Sequence, residues 1–145
     1  MSQTVIREVI KNVWTISTPF ELGSMPLGHR STAVKLSSGD VWVHASTPLD
    51  TETKEAIDKL GPVKYILNSS LAHHWYLSDF KKAYPSAKLI GTEGIAAKKK
   101  SEGLKFDGEY GKDPASTTYG YEDEIKTWQA SLYLKITHSL TPHPL

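Results

Sequence analysis

Two short apolar runs, VKYIL at 63–67 and AKLIG at 87–91, constrain this chain more than any other feature. Each is the length of one strand. Between them lies a single helix-sized segment, 73–84, with Tyr76, Phe80, Ala83 and Tyr84 on one face and Pro85 after its end. A second helix pattern, 51–60, precedes the first run. Asp50 or Thr51 can cap it, Glu52 and Glu55 lie early in it, and Gly61-Pro62 stops it. Strands separated by single helices pair in parallel.

Ahead of these units the pattern changes. STAVKL (31–36) and VWVHAS (41–46) alternate around the turn residues SSGD, which reads as a hairpin. In VIREVIKNVWTI the period is ambiguous, and the β-branched residues favour a strand near 13–16. FELGSMPLG (20–28), with two glycines and a proline, reads as loop, as does the chain from Leu104 onward; 92–100 reads as helix. A hairpin followed by strand–helix–strand units predicts an α/β fold, a mixed sheet flanked by helices.

The chain has 145 residues, room for one domain, and 39% hydrophobic residues supply a core. Its 17 basic and 16 acidic residues give a net charge of +1, which argues against a nucleic-acid or membrane-surface partner. No cysteine is present, so disulfides and thiolate metal sites are excluded. Arg7, Glu8 and Lys11 interrupt the N-terminal apolar residues, and no window approaches a membrane span; a soluble, cytoplasmic protein is expected. After Lys126 the character shifts again. TWQASLYLKITHSLTPHPL carries one charge, Lys135, so the reading divides the chain into a domain at 1–126 and a divergent, poorly ordered tail at 127–145.

In open α/β sheets the functional crevice lies at the carboxyl ends of the strands. VWVHAS brings His44 to one such end, and ILNSSLAHH brings His73 and His74 just past another. Neutral imidazole ligates metals and titrates near neutral pH. Adjacent residues on a helix point about 100 degrees apart, so one metal takes both His73 and His74 only if they lie in the preceding loop. Structural roles compete: His73 as a partial helix cap, His74 packed beside Trp75, and His44 on an alternating strand. Asn68 and Ser70 read as turn or cap residues, Asp79 and Lys98–Lys100 as solvated helix surface, and Trp14, Trp42 and Trp75 as core. His138 and His143 are given no role. The chain contains no GxGxxG, P-loop, GxSxG or HExxH motif.

NVWTISTPF, HRSTAVKLSSGDVWVHASTPLD, and above all LNSSLAHHWYLSDFKKAYPSAKLIGTEG followed by LKFDGEYG resemble an uncharacterised family with the metallo-β-lactamase-like fold, known as a domain of unknown function in fungi and bacteria. The resemblance covers about Val5 to Lys126. It implies an αββα sandwich, of which this chain supplies about the N-terminal half, as a truncated product would, with a metal site at one edge between the halves. The superfamily's HxHxDH motif, set with its last two positions on His73 and His74, puts its first two histidines on Ser69 and Leu71 and its aspartate on His73. Only His74 keeps its ligand type.

What the resemblance implies is therefore a hydrolase-like protein with a degenerate or single-metal site. His44 and His74 would be the ligands of one divalent metal, zinc, and His73 a ligand or catalytic base. The reaction would be attack on an ester or thioester of a small-molecule substrate. The rival reading is a non-catalytic fragment or binding module, with no metal at all. Half a sandwich also leaves a sheet face open, from which self-association is expected.

Overall fold

A computed structural model describes residues 4–128. Seven strands form one sheet in chain order, β1 Val5–Ile10, β2 Val13–Leu22, β3 Met25–Lys35, β4 Val41–His44, β5 Val63–Leu67, β6 Lys88–Thr92 and β7 Gly108–Tyr110. The first four are antiparallel and the last four parallel, so the sheet is mixed as expected. The helices are α1 Thr51–Asp58, α2 Leu77–Ala83 and α3 Ile95–Lys98, with a short 3-10 turn at Lys100–Glu102.

The parallel half follows its local chemistry. Asp50 caps α1 by accepting the Thr53 amide at 2.8 Å. Gly61 ends the connection at φ 150°, and a Cβ there would stand 2.2 Å from the Gly39 carbonyl oxygen. Only glycine fits that approach. Ile57 of α1, Leu77 and Phe80 of α2 and Ile95 of α3 bury themselves against Val41, Val43, Ile66 and Leu89 on one face of the sheet. The opposite face carries Trp42, Tyr65, Leu67 and Ile90, and Tyr119 and Tyr121 lie over it. Tyr65 donates to the Gly120 carbonyl at 2.9 Å and Lys88 to that of Tyr119 at 2.8 Å, which ties this covering segment down. The face expected to stand open is thus covered over β4 to β6.

Four readings are corrected. Residues 20–28 are not loop but the far end of a long hairpin, paired from Val13↔Val34 out to Leu22↔Met25. β1 pairs with β2 only as far as Ser17, and β4 with β3 only from Thr32. Beyond those points the hairpin is a two-stranded arm among the described residues, so Pro19 and Pro26 interrupt no third strand there. Residues 5–10 form their own strand; Asn12, at φ 67°, turns the chain, and its amide donates to the Glu8 carboxylate. The segment after Leu104 contains β7, too short to register as a pattern. The lysine run is not wholly solvated: Lys99 is 3% exposed and paired with Glu102 at 2.7 Å. Residues 129–145, which include His138, His143 and most of the expected tail, lie outside those described.

Candidate functional site

The chain leaving β5 is held by a fully buried asparagine. The Asn68 amide donates to the Ile90 carbonyl at 3.0 Å, and its own carbonyl accepts the Tyr110 hydroxyl. Its side-chain nitrogen donates to the carbonyls of Ser70 and His73, at 2.9 and 2.7 Å. Residues 69–76 are thereby folded into a compact loop, and α2 begins only at Leu77, four residues later than its pattern suggests. Both histidines therefore sit in the loop before the helix.

Two imidazole–hydroxyl pairs result. His44 Nε2 lies 2.8 Å from Ser69 Oγ, and His73 Nδ1 lies 2.8 Å from Ser70 Oγ. Ser70 Oγ also accepts the amides of Ala72 and His73, at 3.3 and 3.2 Å, so this pair closes a tight turn.

A third histidine arrives from the arm. His29 sits three residues before Thr32, the partner of His44, and so beyond the end of β4. Its ring stacks on Phe20 at 3.9 Å, a diagonal cross-strand pair, and meets Trp75 and Tyr76 edge-on at 5.7 and 5.8 Å. His29 and His44 both lie close enough to His73 to be influenced by its charge. His29 carried no motif; only the register of the hairpin reveals it. Trp75, read as core, is 51% exposed and forms one wall of this cluster.

His74 turns elsewhere. Its neighbours include Lys98, Lys99 and Glu102, and its Nδ1 is buried without a hydrogen-bond partner among the described residues. His29, Ser46 and residues 72–76 enclose a void of about 10 Å³, near the minimum for one water.

Burial, first, and the proximity of His73, second, hold the pKa of His29 and His44 below the ordinary histidine value. Burial also lowers His74, followed by Lys99 and Lys98. These three rings are therefore neutral at neutral pH.

Zinc takes three or four donors at about 2.0–2.3 Å. Among the described residues no group of three His, Asp or Glu side chains is so arranged. His44 Nε2 and His73 Nδ1 are engaged by serine hydroxyls, and the ammonium groups beside His74 oppose a cation. A metal shared by His44 and His74 would require His74 to leave that setting. As arranged, the donor set does not fit a zinc ion.

A cleft of about 450 Å³ lies elsewhere, beside β7 and residues 113–128. Its carboxylates are committed: Asp113 accepts the Glu109 amide and the Tyr119 hydroxyl, and Glu122 accepts the amides of Gly120 and Tyr121. The chemistry is concentrated at the histidine cluster.

Residues 11–95 match the family model described as Domain of unknown function (DUF4336). The chain belongs to this family. No curated protein matches the sequence. Among solved structures, it is similar to the metallo-beta-lactamase from Pontibacter korlensis, with 12% identity and a TM-score of 0.55 over 77% of this chain and 54% of that one. A metallo-beta-lactamase from Hirschia baltica gives 7% identity and 0.56 over 79% and 55%. The FIM-1 enzyme from Pseudomonas aeruginosa, in its mono-zinc form, gives 8% and 0.52 over 73% and 50%. These likenesses show that the DUF4336 chain has the metallo-β-lactamase-like fold suggested by its motifs. It spans about half the length of the structures it matches. Among the described residues no helix is long and apolar enough to cross a membrane.

Proposed function

We propose that this DUF4336 protein is a slow hydrolase of small esters or thioesters, working through the neutral imidazole of His44 at the carboxyl end of β4 rather than through a paired-zinc centre. One observation carries the reading: His44 Nε2 stands 2.8 Å from a serine hydroxyl at a strand end. A neutral imidazole within hydrogen-bond reach of a hydroxyl or water can take its proton and return it to a leaving group. His73, close to His44, is the second candidate base, and no step needs a metal.

The test is turnover of an ester and thioester panel by protein stripped with a strong chelator, with metal content read by plasma emission. Activity surviving chelation, with at most one divalent metal per chain, is expected. Two tightly held zinc ions, or activity lost on chelation and restored by zinc, would sink the reading. A binding module is the second reading, and the absence among the described residues of a group of His, Asp or Glu side chains able to hold a metal favours it. Saturable ligand binding with no turnover of any panel member would select it.

A further inference from the structure

We propose that Ser69 is a nucleophile and His44 its base, a serine–histidine dyad at the carboxyl end of β5 that forms a covalent acyl-enzyme with small acyl esters or thioesters. The inference rests on the hydrolase reading above and names its mechanism.

The two serines of the loop are chemically unlike. Ser70 Oγ accepts two backbone amides and meets His73 Nδ1, so its oxygen is spent on the turn. Ser69 is an exposed residue, and among the described residues the only hydrogen-bond partner of its Oγ is His44 Nε2 at 2.8 Å. That is the separation at which a base activates a hydroxyl. The carrier is firm, because the preceding Asn68 is fully buried and bound through its amide, carbonyl and side chain. His44 is half-buried at the end of β4, where it faces Ser69 across the parallel β4–β5 pair. Two rigid strand ends thus hold nucleophile and base in register, the placement a reactive site in such a sheet requires.

The step balances as follows. For Ser69 to donate, His44 carries its own proton on Nδ1. Ser69 Oγ attacks the acyl carbon as its proton passes to His44 Nε2. The carbon–oxygen or carbon–sulfur bond then breaks, and the leaving alkoxide or thiolate takes that proton. Water, losing a proton to His44, attacks the acyl-serine, and the proton returns to Ser69 Oγ as the acid leaves. Leu71 and Trp75, 44% and 51% exposed on the same loop, offer apolar contact suited to a small acyl group.

The experiment incubates the full 145-residue chain with p-nitrophenyl acetate and, separately, with a fluorophosphonate probe, and maps adducts by intact-protein and peptide mass spectrometry. An adduct on Ser69 and a burst of p-nitrophenol are expected from the wild type. Ser69→Ala should lose both. His44→Gln should slow acylation by roughly a hundredfold or more, the usual share of a positioned base. Circular dichroism of each variant checks folding, which an exposed serine is not expected to disturb. An adduct only on another residue, or equal labelling of Ser69→Ala, overturns the dyad. Turnover by Ser69→Ala at the wild-type rate also overturns it but leaves the hydrolase reading standing. A wild type with neither adduct nor turnover removes both.

Discussion

The two halves of the sheet are built on different terms. In the parallel half, β5 and β6 are buried on both faces, and the helices and the Tyr119–Tyr121 segment enclose them. In the antiparallel half, β1 is exposed at five of six positions, and the arm of β2 and β3 carries Leu22, Met25 and Leu27 in the open. The first region supplies most of the buried apolar area and hence most of the hydrophobic stabilisation. The second contributes reach, bringing Phe20 and His29 over the histidine loop. A site assembled across such a boundary has a firm floor, Asn68, Ser69 and His44, and a wall drawn from the region with least packing behind it.

The sharpest way to break this comparison is to cut the firm half. Phe80 is fully buried between α2 and the sheet, in contact with the main core. Phe80→Ala should cost about 3–5 kcal/mol, the usual price of removing a core aromatic ring. The measurement is urea unfolding with the slope unchanged. A loss below about 1 kcal/mol would mean that stability is not concentrated in the parallel half.

The same boundary separates what could be read in the sequence from what could not. VKYIL, AKLIG and the Asp50-capped helix were legible because burial on both faces leaves unbroken apolar runs and caps leave polar marks. Val41, Val43 and Trp42 separated correctly into two faces by alternation. The arm was hidden because Pro19, Gly23, Pro26 and Gly28 spell a loop wherever no third strand is known to be absent; that is a fact of register. β7 was hidden because Gly108–Tyr110 is three residues long and buries a glutamate. Glu109 is satisfied there by Lys112 at 2.7 Å and the Ala96 amide at 3.1 Å. At the site, strand ends pointed to His44, His73 and His74 as candidates, whereas His29 required the pairing of Thr32 with His44. Ser69 was visible only as the wrong residue at a ligand position, and its value lies in a distance that no spacing expresses.

A second, smaller effect tests the site where the halves meet. His29, His44 and His74 all have folded pKa values held below the ordinary value, chiefly by burial. A lowered histidine pKa means that the unfolded chain binds the proton more readily than the folded one. Stability is then complete above the unfolded value of about 6.5 and is lost as pH falls through the folded values. Asp40, Glu102, Glu109 and Glu122 are also lowered, so they act in the same direction, but only below their ordinary values near 4. Melting temperature should therefore fall between about pH 7 and about pH 5, before the carboxylates contribute. His44→Gln should make that upper window shallower, with His29 and His74 still contributing, and leave the lower one. A curve unchanged by His44→Gln would mean that its burial imposes no cost on the charged ring.

The smallest expected effect is at the tip of the arm. Leu22 and Met25 face each other across the last pair of the hairpin and are 60% and 57% exposed. Their side chains gain little from folding, because most of their apolar surface stays in water. Neither β1 nor β4 reaches this far, so among the described residues their truncation removes no contact with a third strand. Leu22→Ala or Met25→Ala should change unfolding free energy by no more than about 0.5 kcal/mol, the ordinary scale for surface positions. Amide exchange at the tip should likewise be much faster than at Ile66 or Leu89, since local opening of an uncovered hairpin need not disturb the core. A loss of 2 kcal/mol or more, roughly the scale of a buried leucine, would mean that something covers the arm. His29 would then belong to a rigid wall, and the contrast between a firm floor and a mobile wall would fail.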